Sequence, residues 1–412
     1  MTLKIFNTRT ESIQVFEPID VREIKMYVCG PTTYSSPHIG HARSYIFFDV
    51  LARYLRFNGF RVKYVQNITD MGKNIKKVAD ETGTTLSEVV DKYEAEYLNA
   101  MTALNVESVD VYERSSNNLE RIINQIERIL AKKHAYPVVD GVFYDTAQQD
   151  FGALSHTSKN EMVSTEDYAG KRSLQDFSLW KRDLSWAIEM DSPFGRGRPH
   201  WHILDTALAE KYFGECIYDI HGSGTDCIYP HHEAVRSILQ SLSGEAEPVK
   251  FWVHNAPLNM GGQKMSKSLG NYKSLSSLLQ KYDPSAVRLS MLSYHYMEPV
   301  EFDERVLSQW QSKLKTLELV VGKLRTYVTS NQQNGNYGIF SSYFHTFINA
   351  MNENMNTPLA VETVLSFIEN VGEIINNGEI NNRVAQQAYN LLVDFDRILG
   401  IGVLNRGDLV DK

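Results

Sequence analysis

Two histidines stand close together where a predicted strand is followed by a helix. Residues 37–44 read PHIGHARS, with His38 and His41 on either side of Gly40. Imidazole N–H groups donate hydrogen bonds to phosphate oxygens, a helix N-terminus favours negative charge, and glycine lets a ligand approach the backbone. The spacing therefore predicts a phosphate-binding turn. The alternative is that both histidines cap the helix or lie on the surface.

A second segment with phosphate-binding chemistry lies later in the chain. Residues 261–270 read GGQKMSKSLG, which places Lys264 and Lys267 in a loop with glycines at both ends. Lysine binds phosphate as a point charge, and a mobile loop can bring such charges to a transition state. A solvated basic turn is the alternative. Because both segments occur in one chain, each strengthens the phosphate interpretation of the other.

A third segment combines residue types that bind metals and transfer protons. Residues 200–205 read HWHILD, in which two histidines flank Trp201 and two aliphatic residues lead to Asp205. Imidazole and carboxylate groups are zinc ligands as well as general acids and bases. The segment alone is compatible with a metal site, a catalytic site or a strand that carries polar residues.

The first histidine pair lies inside a predicted β-α-β unit. Residues 24–28 (IKMYV) are typical of a buried strand, and apolar residues at helical spacing follow from Gly40. Asn58-Gly59 is expected to end this helix before a strand at residues 61–66. Such a unit predicts a parallel sheet with a right-handed crossover. Ligands bind at the carboxyl ends of strands in these sheets, which is where the histidines stand.

The rest of the chain predicts a second unit, an insertion and a helical region. Residues 216–220 and 249–253 are strand-like, with HGSGTD after the first of them and a helix predicted from Pro230. Residues 112–190 are rich in turn residues, which indicates an insertion. From Glu304 onward, apolar residues recur at helical spacing. The fold class is therefore α/β, a parallel-sheet domain with an insertion, followed by an all-α helical bundle.

The composition is that of an ordinary globular protein. The 412 residues are 42% hydrophobic and 22% charged, and no apolar run has the length of a membrane span. The N-terminus does not resemble a signal peptide, and three cysteines are too few for a disulfide framework or a zinc ribbon. We therefore expect a cytoplasmic protein with no membrane partner. The net charge of −8 argues weakly against a surface built for nucleic acid.

Six segments in order along the chain resemble cysteinyl-tRNA synthetases, a family of class I aminoacyl-tRNA synthetases. They are YVCGPTTYSSPHIGHARS, RYLRFNGFRVKYVQNITD, SPFGRGRPHWHI, YDIHGSGTD, YPHHE and KMSKSLGNY. The similarity runs from about residue 3 to residue 300, with a fainter match, NMNTPLAV, at residues 354–361. The resemblance implies a Rossmann-type catalytic domain for the parallel sheet.

The resemblance also implies amino-acid activation with ATP, accompanied by Mg²⁺. The carboxylate of an amino acid attacks the α-phosphorus of ATP, and an aminoacyl-adenylate and pyrophosphate form. No covalent enzyme intermediate is needed, so the protein supplies positioning and charge stabilisation. The residues that match the family's roles are His38, His41, Lys264 and Lys267 for catalysis, Gly40, Gly222, Gly224, Asp226 and Ser268 for the nucleotide, and Cys29, Thr69, Trp201, Asp205 and His231 for the amino acid.

The amino-acid pocket departs from the family pattern. In the family, residues 201–205 read Trp-His-Ile-Glu-Cys, and four residues hold a zinc ion that binds the substrate thiolate. These four match Cys29, Asp205, His231 and Val235 here. Because a carboxylate replaces a thiolate and valine supplies no ligand atom, we expect no bound metal and an amino acid other than cysteine. Two alternatives are a zinc ion kept by the other three residues, and Asp205 as the N-cap of a helix that begins at Thr206.

Two further departures concern the surroundings of the site. After NITD the family continues Ile-Asp-Asp-Lys, whereas this chain reads Met71, Gly72, Lys73 and Asn74, so that two acids are lost and a base stands at position 73. Family members continue into a domain that reads the anticodon, and we expect this chain to lack it because the sequence stops at Lys412. The cysteine ligase of mycothiol biosynthesis has a similar layout and acts on an amino sugar.

These observations predict five regions. They are residues 1–111 (first half of the catalytic domain), 112–190 (connective insertion), 191–262 (second half), 263–303 (the KMSKS loop and the region after it) and 304–412 (helical bundle).

The predicted function is an ATP-dependent amino-acid ligase that transfers the activated amino acid to a small-molecule amine or another non-tRNA acceptor. We expect a monomer. A truncated synthetase that charges tRNA is the first alternative, and an inactive regulatory or binding paralogue is the second. The presence of both phosphate-binding segments argues against the inactive paralogue.

Overall fold

The computed structural model describes residues 2–158, 161–162, 170–182, 190–214, 216–265, 270, 272–328 and 335–406, without the side chains of Lys264, Asn405 and Arg406. Within these ranges the strands are β1 (Lys4–Asn7), β2 (Ser12–Val15), β3 (Ile24–Val28), β4 (Val62–Ile68), β5 (Val111–Arg114), β6 (Ala135–Val138), β7 (Gly141–Tyr144), β8 (Phe177–Lys181), β9 (Arg198–Pro199), β10 (Tyr218–Gly224), β11 (Val249–Asn255), β12 (Leu258–Met260), β13 (Gln263–Lys264) and β14 (Val300–Glu301).

Helices lie on both sides of the main sheet and form the C-terminal region. They are α1 (Ile39–Phe57), α2 (Lys73–Thr82), α3 (Leu86–Ala103), α4 (Leu119–Ala131), α5 (Trp201–Phe213), α6 (Glu233–Ser243), α7 (Leu275–Lys281), α8 (Pro284–Leu292), α9 (Glu304–Arg325), α10 (Ser341–Asn352), α11 (Thr357–Asn376) and α12 (Asn382–Leu399). No helix in the described ranges has an apolar stretch long enough to cross a membrane.

A five-stranded parallel sheet forms the centre of the molecule, with strand order β11-β10-β3-β4-β5. All four neighbouring pairs are parallel. On one side of β3 the sheet continues with β4 and β5. On the other side it continues with β10 and β11, which come later in the chain. The order of the strands therefore reverses between β3 and β10, and ligands bind at such a reversal in open α/β sheets. The predicted α/β class with a Rossmann-type sheet is confirmed.

Helix α1 connects β3 to β4 and begins beside this reversal. Most of its residues are buried, because it packs between the sheet and the helices α8 and α12. The carboxylate of Asp49, which is fully buried, forms ion pairs with Arg53 and with Arg288 of α8. Breaking one side of a buried pair leaves an uncompensated charge, which costs about 3–5 kcal/mol. The pair between Asp49 and Arg288 therefore fixes α1 to α8.

The insertion between the two halves of the main sheet contains a second sheet. Its four strands are antiparallel, in the order β6-β7-β8-β9. The chain leaves this sheet at Pro199 and enters α5 directly, so the second sheet and the amino end of α5 are covalently adjacent. The predicted domain boundaries remain a prediction.

The C-terminal region is helical from Glu304, as the apolar spacing predicts. The face of α9 that packs into the bundle is formed by Leu307, Trp310, Leu314, Leu317, Val321 and Leu324, all of them buried. This stripe is core packing and is covered by α11 and α12.

Three local predictions need correction. Strand β10 does not stop at Ile220 but continues through Gly224, because its backbone pairs with β11 as far as Asn255. Helix α6 begins at Glu233 instead of Pro230, after an irregular turn over Ile228–His232. The third correction concerns Asp205 and is given with the site below.

Candidate active site

A cavity of about 380 Å³ lies at the carboxyl ends of β3, β4, β10 and β11. Most of the residues that the sequence assigns to the site surround it. Those that line it are Cys29, His38, Gly40, His41, Thr69, Trp201, Asp205, Gly224, Asp226 and His231. We call the part of the cavity lined by the residues predicted for the nucleotide the nucleotide end, and the part lined by those predicted for the amino acid the amino-acid end.

At the nucleotide end, the two histidines cap helix α1 with one ring nitrogen each. Nδ1 of His38 accepts from the backbone N–H of Gly40 at 3.1 Å, and Nδ1 of His41 accepts from the backbone N–H of His38 at 3.1 Å. In a neutral imidazole that accepts at Nδ1, the proton is on Nε2. Each ring therefore carries a hydrogen-bond donor in addition to its capping role. Capping and phosphate binding, which the sequence offers as alternatives, are compatible here.

Two glycines at the nucleotide end leave room for these side chains. A Cβ atom on Gly40 would lie 2.9 Å from the ring of His38, and one on Gly224 would lie 2.6 Å from Oδ1 of Asp226. Gly222 is different, because it does not line the cavity and a Cβ there would meet the ring of Phe48 at 2.4 Å. Its small size allows α1 to pack against β10.

The lysine-containing segment starts and ends beside the histidine turn. Lys264 lies in β13, and Met265, which follows it, is buried and lines the cavity. On the far side of the loop, the backbone N–H of Ile39 donates to the carbonyl of Lys273 at 3.2 Å, and that of Leu275 donates to the carbonyl of Pro37 at 2.9 Å. The chain that follows the lysine-containing segment is therefore hydrogen-bonded to the histidine turn.

Three predicted residues of this loop cannot be placed in the cavity. Lys267 and Ser268 lie outside the described residues, and Lys264 is described in its backbone alone.

At the amino-acid end, three predicted residues contact one another through a single carboxylate oxygen. Oδ2 of Asp205 lies 2.9 Å from Nε2 of His231 and accepts the thiol of Cys29 at 3.2 Å. Asp205 is 2% exposed. The indole of Trp201 stacks on the imidazole of His231 with ring centroids 4.1 Å apart. Segments separated by up to 202 positions in the sequence thus form one polar cluster.

The same contacts set the protonation of these groups. Burial, followed by the nearby carboxylate of Asp205, raises the pKa of the Cys29 thiol well above its ordinary value. Burial raises the pKa of Asp205, but the charge and hydrogen bond of His231 outweigh it, and the net pKa is lowered. The cluster therefore consists of a carboxylate that accepts hydrogen bonds from a protonated thiol and an imidazole.

Further histidines lie beneath this cluster. Nε2 of His221 and Nε2 of His232 are 3.5 and 3.1 Å from the sulfur of Cys29, and Nδ1 of His232 is 2.7 Å from Nε2 of His254. Burial lowers the pKa of His221 and of His254 to about 3, so both are neutral at physiological pH.

The sequence interpretation did not single out His221 or His254. The signal that was available is a histidine within a strand of the main sheet, His221 in the middle of β10 and His254 near the carboxyl end of β11.

Asp205 does not cap a helix. Helix α5 begins at Trp201 with His200 as its N-cap, so Asp205 is the fifth residue of the helix and lies on its buried side. Cap preferences are local and cannot show that the helix continues one turn further toward its amino end. The N-cap alternative is therefore wrong, and the segment is neither a cap nor a strand.

The residues do not fit the four-ligand zinc site that the resemblance implies. Val235 lies in α6, is fully buried and has no ligand atom. The Asp205 oxygen, which stands in place of a thiolate sulfur, already accepts hydrogen bonds from the two other residues of the set. Among the described residues, the side chains that could bind an ion form two groups of three around Cys29, one with His231 and His232 and one with Asp205 and His221.

Comparison with known proteins identifies the family of this chain. Residues 15–312 match the family described as tRNA synthetases class I (C) catalytic domain. The chain is 34% identical to a cysteine–tRNA ligase of Thermococcus gammatolerans over 97% of its own length and 87% of that protein. It is 37% identical to a cysteine–tRNA ligase of Archaeoglobus fulgidus, again over 97% and 87% of the two chains.

Solved structures support the same fold at low sequence identity. The chain is similar to a leucyl-tRNA synthetase of Agrobacterium radiobacter, with a TM-score of 0.69, 12% identity, and 96% and 86% of the two chains covered. It is also similar to the Mycobacterium tuberculosis methionyl-tRNA synthetase, with a TM-score of 0.62, 15% identity, and coverage of 93% and 91%. The chain belongs to the cysteinyl-tRNA synthetase family, a family of ligases among the class I aminoacyl-tRNA synthetases.

Proposed function

We propose that the protein activates an amino acid other than cysteine as an aminoacyl-adenylate and transfers it to a small-molecule amine. The observation that carries the proposal is the buried carboxylate of Asp205 at the amino-acid end of the cavity, which stands where the family has a cysteine ligand and contacts Cys29 and His231. A carboxylate can accept about four hydrogen bonds on its two oxygens, and Cys29 and His231 both contact Oδ2. The carboxylate therefore keeps the capacity to accept from a substrate side chain that donates. A hydroxyl, an amide and a short amine meet that requirement.

Activation requires charge stabilisation at the phosphates. An oxygen of the amino-acid carboxylate attacks the α-phosphorus of ATP, the bond from that phosphorus to the bridging oxygen breaks, and pyrophosphate leaves. The Nε2–H groups of His38 and His41 donate to the phosphate oxygens, and the carboxylate of Asp226 accepts from the ribose hydroxyls. Mg²⁺ bound to the nucleotide supplies further neutralisation of the phosphate charge.

In the transfer step, the protein positions the adenylate and the acceptor and supplies no further chemical group. The acceptor nitrogen attacks the carbonyl carbon of the adenylate, a C–N bond forms, the bond from that carbon to the phosphate oxygen breaks, and AMP leaves while the amine loses a proton. A small acceptor is supported by the charge of the chain, which is −8 overall. Residues 304–406, which form the helical bundle, contain eight Lys or Arg and nine Asp or Glu, so this region has no excess of positive charge for a polyanion.

Charging of tRNA is the second candidate. The observation that favours it is identity of 34–37% to cysteine–tRNA ligases over 97% of this chain.

The test is a panel of amino acids in ATP–pyrophosphate exchange, followed by transfer assays with total tRNA and with small amines. We expect exchange with a hydroxyl-, amide- or short amine-bearing amino acid, and amide formation with an amine. Cysteine as the best substrate together with aminoacylation of a cognate tRNA at physiological salt would overturn the proposal in favour of the second candidate.

A further inference from the structure

A second cavity, of about 280 Å³, lies beside the main one. Among the described residues, it is enclosed by the edge of the insertion sheet and by the amino ends of α2, α3 and α5. We call it the lateral cavity. Its apolar lining is formed by Met71, Ile75, Leu86, Pro199, Trp201 and Leu204. An apolar cavity of about 150 Å³ is enough to bind benzene, so the lateral cavity has room for an aromatic ring or a short alkyl chain.

The lateral cavity lies between two separate apolar clusters. Leu204, which is 3% exposed, and Met71 pack in the cluster formed by the insertion and α5. Ile75, which is 1% exposed, and Leu86 pack in a smaller cluster formed by α2 and α3. A ligand in the cavity would contact both clusters. The removal of apolar surface from water is the main driving force for binding there, and it requires that the buried part of the ligand is apolar.

The charged residues of the lining already interact within the protein. Lys181, Arg198 and His200 also line the cavity, and each of them is engaged with other groups of the chain. No described residue of the lining carries a carboxylate. Ligand pockets are lined mainly by apolar side chains, with few polar groups. Recognition in the lateral cavity therefore depends on apolar contact.

Trp201 forms part of the wall between the two cavities. It lines both of them, and its indole stacks on the imidazole of His231 with ring centroids 4.1 Å apart. Trp201 is nevertheless 45% exposed, so that apolar surface of the indole is available to a ligand. One turn further along α5, Leu204 lines the lateral cavity and Asp205 lines the main one. The lateral cavity therefore adjoins the amino-acid end of the main cavity.

Two differences from the family pattern concern this lining. Gly72 and Leu204, which both line the lateral cavity, stand where the pattern has an aspartate and a glutamate. A carboxylate at either position would be costly to bury beside an apolar ligand. The replacement of both acids by uncharged residues makes the lining more apolar in this chain.

We propose that the lateral cavity binds an apolar group, an alkyl chain or an aromatic ring, of the amine that accepts the amino acid. This inference rests on the proposed transfer to a small amine and specifies the chemical class of that amine. The apolar group packs among Ile75, Leu86 and Leu204, and the amino group of the same molecule passes Trp201 to the adenylate. The amine nitrogen attacks the carbonyl carbon, a C–N bond forms, the bond from that carbon to the phosphate oxygen breaks, and AMP leaves while the amine proton passes to solvent.

Binding to the cavity is tested with 2-phenylethanol, a neutral apolar probe, by NMR of protein labelled at the isoleucine and leucine methyl groups. The protein is first saturated with α,β-methylene-ATP and Mg²⁺, so that the nucleotide end of the main cavity is occupied. We expect the methyl signals of Ile75, Leu86 and Leu204 to shift with one common, saturable dissociation constant. Leu319, on the exposed face of α9, lines neither cavity and is the internal control. Signals of the three lining residues that do not shift would overturn the inference.

Two pairs of variants locate the probe. Leu204→Glu places the residue of the family pattern in the cavity, whereas Leu204→Met keeps an apolar side chain of similar volume. We expect Leu204→Glu to weaken binding of 2-phenylethanol at least tenfold and Leu204→Met to weaken it less than threefold.

The second pair keeps the test valid if a charge at the buried position 204 impairs folding. Gly72 has an extended backbone, and a Cβ there would meet its nearest neighbour, Cγ2 of Thr32, at 4.0 Å, so a side chain is tolerated. Gly72→Leu should weaken binding at least tenfold because its side chain occupies part of the cavity, and Gly72→Ala should have less than a threefold effect. Equal affinity in these two variants would contradict binding in the lateral cavity.

The link to the acceptor is tested by transfer from the enzyme-bound adenylate to ethylamine, butylamine and 2-phenylethylamine. Each buried methylene group contributes a factor of about four, so we expect kcat/KM for butylamine to exceed that for ethylamine at least tenfold. Gly72→Leu should reduce this ratio to below threefold, whereas the control Leu319→Gln should keep it. Comparison of butylamine with 2-phenylethylamine distinguishes an alkyl chain from an aromatic ring.

The outcomes separate this inference from the proposed function. Amino-acid-dependent exchange with equal transfer to ethylamine and to both larger amines would remove the inference and leave the proposed function intact. Binding of 2-phenylethanol that depends on position 72, in a protein in which no amino acid supports exchange, would remove the proposed function and with it the assignment of the ligand as an acceptor.

Discussion

The two ends of the main cavity satisfy their polar side chains in different ways. At the nucleotide end, His38 and His41 each accept a hydrogen bond from the backbone at the start of α1. At the amino-acid end, Asp205, His231 and Cys29 bond to one another. A substitution at the amino-acid end changes both the contact to the substrate and the partners of its neighbours.

This difference explains where the chain departs from its family. Backbone groups are the same for every residue type, so a nucleotide end that depends on them changes little when side chains change. The amino-acid end depends on side chains from three separate segments, and a new carboxylate there alters the chemistry of the whole cluster. We therefore expect variants at the nucleotide end to reduce the rate for every amino acid, and variants at the amino-acid end to change which amino acid is used.

The largest expected effect concerns the nucleotide end. Lys267→Ala should reduce amino-acid-dependent ATP–pyrophosphate exchange by about 10²-fold or more, because one preorganised charge contact at a transition state contributes that much. The measurement is steady-state exchange with the best amino acid of the panel. Binding of ATP to the variant, measured by equilibrium dialysis, is the control. A loss of less than threefold would show that this lysine does not reach the phosphates.

The next effect concerns the amino-acid end. Asp205→Ala should raise KM for the best amino acid by a factor that corresponds to about 1–3 kcal/mol, since a donor of the substrate is left without its acceptor. The affinity for ATP should stay unchanged. Asp205→Asn, which keeps the shape and removes the charge, is the matched variant and should have the smaller effect. An equal increase in KM for all amino acids would contradict a role in selecting the side chain.

A smaller effect is expected from the histidines beneath the cluster. Burial lowers the pKa of His254 to about 3, whereas an unfolded histidine titrates near 6.5, so the unfolded state binds more protons between these values. Stability should fall as pH decreases below about 6.5, and this histidine alone accounts for about 2 kcal/mol at pH 5. Urea unfolding at pH 7.5 and pH 5.0 measures the effect. His254→Gln should flatten the pH dependence, and an unchanged slope would argue against this source.

The smallest expected effect concerns the zinc content of the purified protein. Because Val235 offers no ligand atom and the Asp205 oxygen is occupied by hydrogen bonds, purified protein should contain well under one zinc per chain by atomic emission. The double variant Asp205→Cys/Val235→Glu restores the ligand types of the family and should raise the zinc content. Near-stoichiometric zinc in the unmodified protein, with cysteine as the best substrate, would mean that Asp205 is a replacement ligand.

Much of the nucleotide end can be predicted from the sequence alone. The βαβ periodicity and the start of α1 beside His38 are local properties, and the structure has both. Apolar spacing and capping preferences act over one or two turns of a helix, so a short window of sequence contains them. The same local rules failed at residues 200–205, where the amino end of α5 is set by its junction with the insertion sheet.

The amino-acid end depends on the tertiary structure. Cys29 and Asp205 are 176 positions apart, and nothing in either segment states that one oxygen will accept both the thiol and an imidazole. The sequence by itself determined the residue types, the order of the elements and the family. Whether a given charge is buried, and what it faces, is decided by contacts between distant segments, because burial and electrostatic potential are properties of the packed chain.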